Sequence, residues 1–585
     1  MSIPELLKER IRAERQQWEA FTNEELLRMI QQGKTQQALD GLIFFTPPGR
    51  FRFTWNWLRQ RIQHEFDSAV IPRQEAFLRF GARLFLALSS FLPRWNLQNP
   101  AFHGELALTD EQVAALAREA YAFTASLSSR APHVALEFLS SERREAVARL
   151  KAEGVANPEA EARALIGNSV GEYLTNLSAE LARSNLRRIA EMRLAGETIT
   201  EISNDYAAFL PYALYLGASF VTCNPTLVDI AWAADPGYWT LIVDEILAAH
   251  PDADHDALAR RVTLEIVFAN MRLLRPIFLL TEGEMGCVSL QVNPHKHGDA
   301  ATMVADALAI YEELQCKLDG GVPNVVFKLP ATRAGLEACS VLTRRGIGVT
   351  ITVNFGLFQH LRFAEVIQEG AAIFSTLAHM SGRLAYPVRD ELLSNLGELS
   401  RHGISEAAAR EAAAWSGVAI LKRLYAWMKA KGFDLRRIRP LIASLRVYEG
   451  DGYESLPSAF PDITEALGTS IITVFPNVRR AFDCRRGIAL DPRRIEEPVP
   501  TAVLEVLAHS EIFKQAYYVA DPAWGMTDQD RFRPRQILAL EDEDAVAAWT
   551  PVRNTLTEFS NSYDSLVKRI LERKQVLMER VASRQ

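Results

Sequence analysis

A parallel (β/α)8 barrel in the middle of the chain, with helical regions on both sides, is the fold this sequence predicts. Three observations carry that prediction. Eight short β-rich runs occur between residues 199 and 475. Helical patterns separate several of them. The chain before residue ~190 and after ~480 shows helical spacing of apolar positions with few β-rich runs. A doubly wound sheet is the structural alternative.

Composition narrows the class. The chain has 585 residues, 48% hydrophobic and 23% charged, which is ordinary for a globular protein. Lys+Arg is 65 and Asp+Glu is 72, a net charge of −7, which argues against a basic nucleic-acid binder. The five cysteines (Cys223, Cys287, Cys316, Cys339 and Cys484) are scattered and form no C-x-x-C pair. They suggest a reduced, cytoplasmic protein. The charged N-terminal segment lacks the apolar core of a signal peptide. Apolar stretches such as 209–221 are too short to span a bilayer, so no membrane partner is expected.

Residues 1–190 read as a helical accessory domain. Examples are ELLRMIQQG, EAFLRFGARLFLALSSFL, DEQVAALAREAYAFTASL and one long run over 160–194. Asp110 is the expected N-cap of the third, and FTPPGRFRFTWNWL (45–58) reads as an aromatic connector. The role of this region is left open between oligomerisation, a lid and a partner surface. Residues 191–480 form the expected barrel, with strands at 199–203, 220–223, 287–292, 324–329, 348–355, 371–377, 440–446 and 470–475. Residues 481–585 form a helical extension packed on the barrel. It ends in the basic run SLVKRILERKQVLMERVASR, read as a solvated helix face.

Barrel chemistry sits at the C-terminal ends of the strands. Lys328, in NVVFKLPAT, is the most informative residue there. A lysine in an apolar strand must be desolvated, which lowers its pKa and leaves a nucleophilic amine. A lysine on the rim of an edge strand, or one paired with a carboxylate, reads the same way. Asp205, Asn224, Gln291 and Thr352 gather polar groups at the same end of strands one, two, three and five. Singly, an Asp or Asn at a strand end is a turn former or helix cap. Arg383, after the sixth strand, and Ser444 and Arg446, closing the seventh, suit a phosphate, although lone arginines also serve surface ion pairs. His295 and His297 form an H-x-H whose extended spacing could share a metal, but no third ligand is evident. Cys223 reads as a buried structural thiol.

Taken in order, these segments resemble the transaldolase family, Schiff-base aldolases on a (β/α)8 barrel related to the fructose-6-phosphate aldolases. CNPTLV is similar to the family's T-N-P-S-L, VVFKLPAT to I-K-I/L-x-x-T and GIGVTITVNF to G-I-x-x-N-L-T-L. SGRL is similar to V-G-R-I, and ASLR to A-S-F-R. TEFSNSYDSLVKRI resembles the family's closing helix, and the resemblance covers roughly residues 195–575. It places Lys328 on the Schiff-base lysine, Asp205 on the first-strand aspartate, Asn224 on the donor-binding asparagine and Thr352 on the threonine. Arg383, Ser444 and Arg446 fall on the phosphate site.

The resemblance implies transfer of a three-carbon dihydroxyacetone unit from a ketose phosphate such as fructose 6-phosphate to an aldehyde such as erythrose 4-phosphate. No metal or organic cofactor is implied, because the lysine is the electron sink. A homo-oligomer is compatible with it. Three positions depart from the family. Gln291 replaces a glutamate, as in the fructose-6-phosphate aldolases, Thr350 replaces an asparagine, and Met380 replaces an aromatic residue. These departures keep open aldol cleavage releasing dihydroxyacetone, and a non-catalytic sugar-phosphate-binding barrel.

Overall fold

A computed structural model describes residues 2–90, 108–520 and 529–582. The last two residues of the 75–92 helical run and of the 565–584 basic run lie outside them. Eight parallel strands close in chain order: β1 (Glu201–Asn204), β2 (Ala218–Thr222), β3 (Val288–Gln291), β4 (Val325–Pro330), β5 (Val349–Asn354), β6 (Ser375–Met380), β7 (Ile438–Ala443) and β8 (Ile471–Val474). β1 pairs with both β2 and β8, so the barrel has no free edge. The strands are buried on both faces, which is why they read as runs of Val, Ile, Leu and Thr.

Most strand boundaries move by one or two residues, and those of β6 and β7 move furthest. β6 starts at Ser375, not 371. Ala371 donates its N–H to Thr343 O at 2.8 Å, and Arg437 Nε takes Ala372 O at 3.1 Å. The run AAIF is therefore tied to a turn, and the ladder begins where Ser375 N reaches Arg437 O. β7 stops at Ala443 because Ser444 turns to φ +58°, outside the extended region.

The N-terminal region is helical, with three corrections. The aromatic segment 45–58 is not a connector: a helix runs Pro48–Glu65. It starts on a proline, whose missing N–H costs nothing there. Phe51, Trp55, Leu58 and Ile62 are buried along one stripe, so the aromatic content hid a helical period. Thr109, not Asp110, is the N-cap. Its hydroxyl accepts from Gln112 N while Gln112 caps Thr109 N, and Asp110 sits in the first turn. The run 160–194 is broken into Pro158–Ile166, Val170–Ala182 and Asn185–Leu194, with Ser169 and Ser184 capping the later two.

The first helix, Ile3–Glu19, lies across the N-terminal end of the barrel. Arg12 chelates Glu282 at 2.7–2.8 Å, Arg275 chelates Glu14, and Arg10 donates to Gly320 O at 2.7 Å. At the side, buried Glu153 pairs with Arg149 and with Arg479 of the helix after β8. One apolar cluster runs from Ile11 through the barrel to Ile570.

The last helix, Thr550–Ala582, packs against β5 and the helices after β2, beside the C-terminal strand ends. Its basic run is not simply solvated. Leu566 and Ile570 are buried, Arg573 chelates Asp244, and Arg569 pairs with Asp229 at 3.0 Å. Among the described residues no helix is long and apolar enough to cross a membrane.

The lower barrel interior holds a buried ion pair. Arg439 Nη1 meets Glu201 at 2.6 Å, Ser219 donates to the same carboxylate at 2.6 Å, and Arg439 Nη2 donates to Glu284 O. Removing one partner leaves the other charge uncompensated. Glu201→Ala is expected to lower unfolding free energy by about 3–5 kcal/mol, read by denaturant titration. A loss under about 1 kcal/mol would show that water relieves Arg439.

Candidate active site

Lys328 is the fourth residue of β4, well inside the barrel, and only 6% exposed. The ladder sets it level with Gln291 of β3 and Thr350 of β5. Its Nζ lies 5.6 Å from the ring centroid of Phe559, a buried residue of the last helix. Burial pushes the ammonium's pKa below the usual lysine range. Asp205 and Cys223 pull it partly back, and Arg383 lowers it further. The amine is thus easier to deprotonate than a free lysine, in a site with a carboxylate nearby.

Asp205 stands one residue past β1, where its N–H bonds Val474 O at 3.1 Å. Its carboxylate accepts from the Thr222 hydroxyl at 2.5 Å. Thr222 meets Thr473 at 2.9 Å, and Thr473 donates to Ser203 at 2.9 Å. This line of hydroxyls across β8, β1 and β2 aims the carboxylate. Nothing in the sequence singled out Thr222, because its spacing is that of any strand residue. Cys223 is buried, and burial pushes its thiol up to about 12, consistent with an inert packing role.

Gln291 ends β3, and its Oε1 has no protein partner. It borders a cavity of about 400 Å³ shared with Asn224, Cys223, Asp306 and Tyr563. Asn224 lies two residues past β2 and caps the helix Pro225–Ala234, its Oδ1 accepting from Leu227 N at 3.0 Å. The cap and the cavity use the same side chain. Thr352 lies higher on β5, level with Pro330, and its hydroxyl reaches the Met380 sulfur at 3.5 Å. The next residue, Val353, holds φ +54°, costly for a β-branched side chain. Gln359 clamps that turn: its amide donates to Val353 O and Ala331 O, and its oxygen accepts from Phe355 N and Gly356 N.

Arg383, Ser444 and Arg446 come together across β6 and β7. Gly382 N donates to Ser444 O at 3.1 Å, and a Cβ on Gly382 would lie 2.3 Å from that oxygen, so only glycine allows the approach. Arg446 N donates to buried Asp462 at 2.9 Å, while its Nη1 bonds the carbonyls of Ser444 and Leu445. Arg383 faces the last helix. Both of its terminal nitrogens grip Glu558, one at 2.6 Å, and its guanidinium lies 5.4 Å from the Phe559 ring.

The family model for transaldolase/fructose-6-phosphate aldolase matches residues 212–485. A transaldolase of Neisseria meningitidis serogroup C is 32% identical over 179 residues, 29% of this chain and 47% of that protein. Transaldolase 1 of Streptomyces avermitilis is 34% identical over 137 residues, 23% of this chain and 34% of that protein. A transaldolase of Mycolicibacterium smegmatis is 27% identical over 271 residues, 44% of this chain and 68% of that protein. Over its barrel the chain is similar to the transaldolase/fructose-6-phosphate aldolase family. It spans about half or less of the first two relatives.

The matched residues include every candidate except Asp205, which lies before them. Phe559, Glu558 and Tyr563 also fall outside, on the last helix. They were legible only as part of the segment that resembles the family's closing helix. The H-x-H is not extended: His295 lies in a 3-10 turn, Pro294–Lys296, and its Nε2 pairs with Asp564 at 2.8 Å. No cluster of three or more metal-ligating side chains occurs among the described residues.

The lowered pKa of Lys328 has a thermodynamic consequence. Between its folded pKa and about 10.4 the unfolded lysine binds a proton that the folded one does not, so wild-type stability rises with pH across that window. Lys328→Met removes the term at similar volume. The variant is expected to be more stable than wild type at pH 7, with the gap narrowing towards pH 10, measured by urea unfolding. A gap that does not change with pH would mean that Lys328 titrates as a free lysine does.

Proposed function

We propose that this protein carries out transaldolase-type chemistry through a Schiff base on Lys328. The observation that supports it most is the buried Lys328 amine, whose pKa burial lowers, with the Asp205 carboxylate nearby. A neutral amine adds to a ketose carbonyl, which a lysine ammonium cannot do. Loss of water gives an iminium that accepts the electron pair of the C3–C4 bond. Asp205 takes the C4 hydroxyl proton as that bond breaks, and the aldehyde fragment leaves. The enamine left on Lys328 attacks an acceptor aldehyde, Asp205 returns the proton to the new hydroxyl, and water hydrolyses the resulting iminium to free the product ketose and the lysine amine. Gln291 and Thr352 position water near the Schiff base, and Asn224 holds donor hydroxyls. Arg383, Ser444 and Arg446 bind the phosphate and so fix the reacting carbons against Lys328.

A second reading keeps the Schiff base but ends in aldol cleavage with release of dihydroxyacetone. Gln291 favours it, because an amide cannot take a proton at neutral pH. The two readings differ in whether turnover requires an acceptor aldehyde.

Borohydride reduction in the presence of fructose 6-phosphate, read by peptide mass, tests the shared step. A reduced three-carbon adduct on the Lys328 peptide is expected, absent in Lys328→Ala. No adduct under conditions where the sugar binds would overturn both catalytic readings for this ketose. Product formation with and without erythrose 4-phosphate then separates transfer from release.

A further inference from the structure

The anion end of the site already holds an anion. Arg383 presents two parallel N–H groups, the geometry that grips a phosphate. Both are taken by the carboxylate of Glu558, 175 positions away on the opposite wall. The carboxylate is held below the usual range, first by its hydrogen bonds from Arg383, with Arg383 and Arg446 adding their charges. It therefore faces both arginines of the proposed phosphate site. Its neighbour Phe559 is buried, with its ring near Lys328 Nζ and the Arg383 guanidinium alike.

The two partners differ in freedom. The Arg383 side chain is 19% exposed and Glu558 52%. Glu558 can rotate into water without burying a charge, whereas Arg383 stays in the wall. With Glu558 in place the arginines Arg383 and Arg446 and this carboxylate sum to one positive charge. Without it they sum to two, which matches a phosphate dianion.

We infer that Glu558 is an internal anion that competes with the substrate's phosphate for Arg383, and so sets how strongly the barrel favours phosphorylated over unphosphorylated ketoses. The sugar part rests on the function proposed above; the competition for an anion does not. A phosphorylated ketose has to displace Glu558, whereas a ketose ending in a hydroxyl binds with the ion pair intact. Glu558 is thus a specificity residue that acts through Arg383.

The test uses the full chain as wild type, Glu558→Gln, Glu558→Ala and Arg383→Ala, each checked by circular dichroism and melting temperature. Inorganic phosphate is titrated by calorimetry. Both Glu558 variants are expected to bind it roughly tenfold more tightly than wild type, and Arg383→Ala more weakly. KM for fructose 6-phosphate should fall with the phosphate Kd, while KM for unphosphorylated fructose moves less than about twofold. Phosphate affinity unchanged or weakened in both Glu558 variants overturns the inference. So does a parallel shift for both sugars, which marks Glu558 as a support of the last helix. The phosphate titration needs no Schiff base. Tighter phosphate binding together with a missing borohydride adduct would therefore keep this inference and remove the aldol chemistry.

Discussion

An amine kept out of water is the constraint on which the site depends. Lys328 sits on a strand flanked by ladder partners and is roofed by Phe559, so burial makes the charged form more costly and lowers its pKa. The hydroxyls of Ser203, Thr473 and Thr222 orient the Asp205 carboxylate without themselves carrying charge. Charge deeper in the barrel is handled differently, as Glu201 and Arg439 pair directly with one another.

The barrel holds this arrangement by spending backbone strain at its mouth. Val353 and Ser444 adopt positive φ next to residues of the site. Each is held by several hydrogen bonds: Gln359 locks the turn after Thr352, and Gly382 and Arg446 lock the loop of Ser444. The terminal regions serve opposite ends. The first helix is tied to the loops beneath the barrel, and the last helix supplies Glu558, Phe559 and Tyr563 at the top.

The departures from the family pattern lie around the amine. Thr350, level with Lys328, is satisfied by Thr376 at 3.0 Å, so the substitution leaves no orphan polar group. Met380 gives its sulfur to Thr352, and an aromatic face is supplied instead by Phe559. Gln291 alone leaves an open acceptor, facing the cavity. Part of the wall around Lys328 is therefore drawn from outside the matched residues.

By itself the sequence determined the barrel, the order of its eight strands and the strand ends on which Lys328, Asp205, Asn224, Gln291, Thr352 and Arg383 stand. Those follow from local patterns: β-branched runs, helical periods and a lysine where apolar residues belong. It misplaced β6 and the aromatic helix Pro48–Glu65, because hydrophobicity does not say which backbone groups a turn has already used. Only the tertiary structure decided what faces the amine and the arginines. Glu558 and Phe559 lie more than 170 residues from Arg383, and an amphipathic helix announces that it has a buried face without saying what it is buried against. That choice belongs to packing, so the identity of the anion on Arg383 could not be read from the chain.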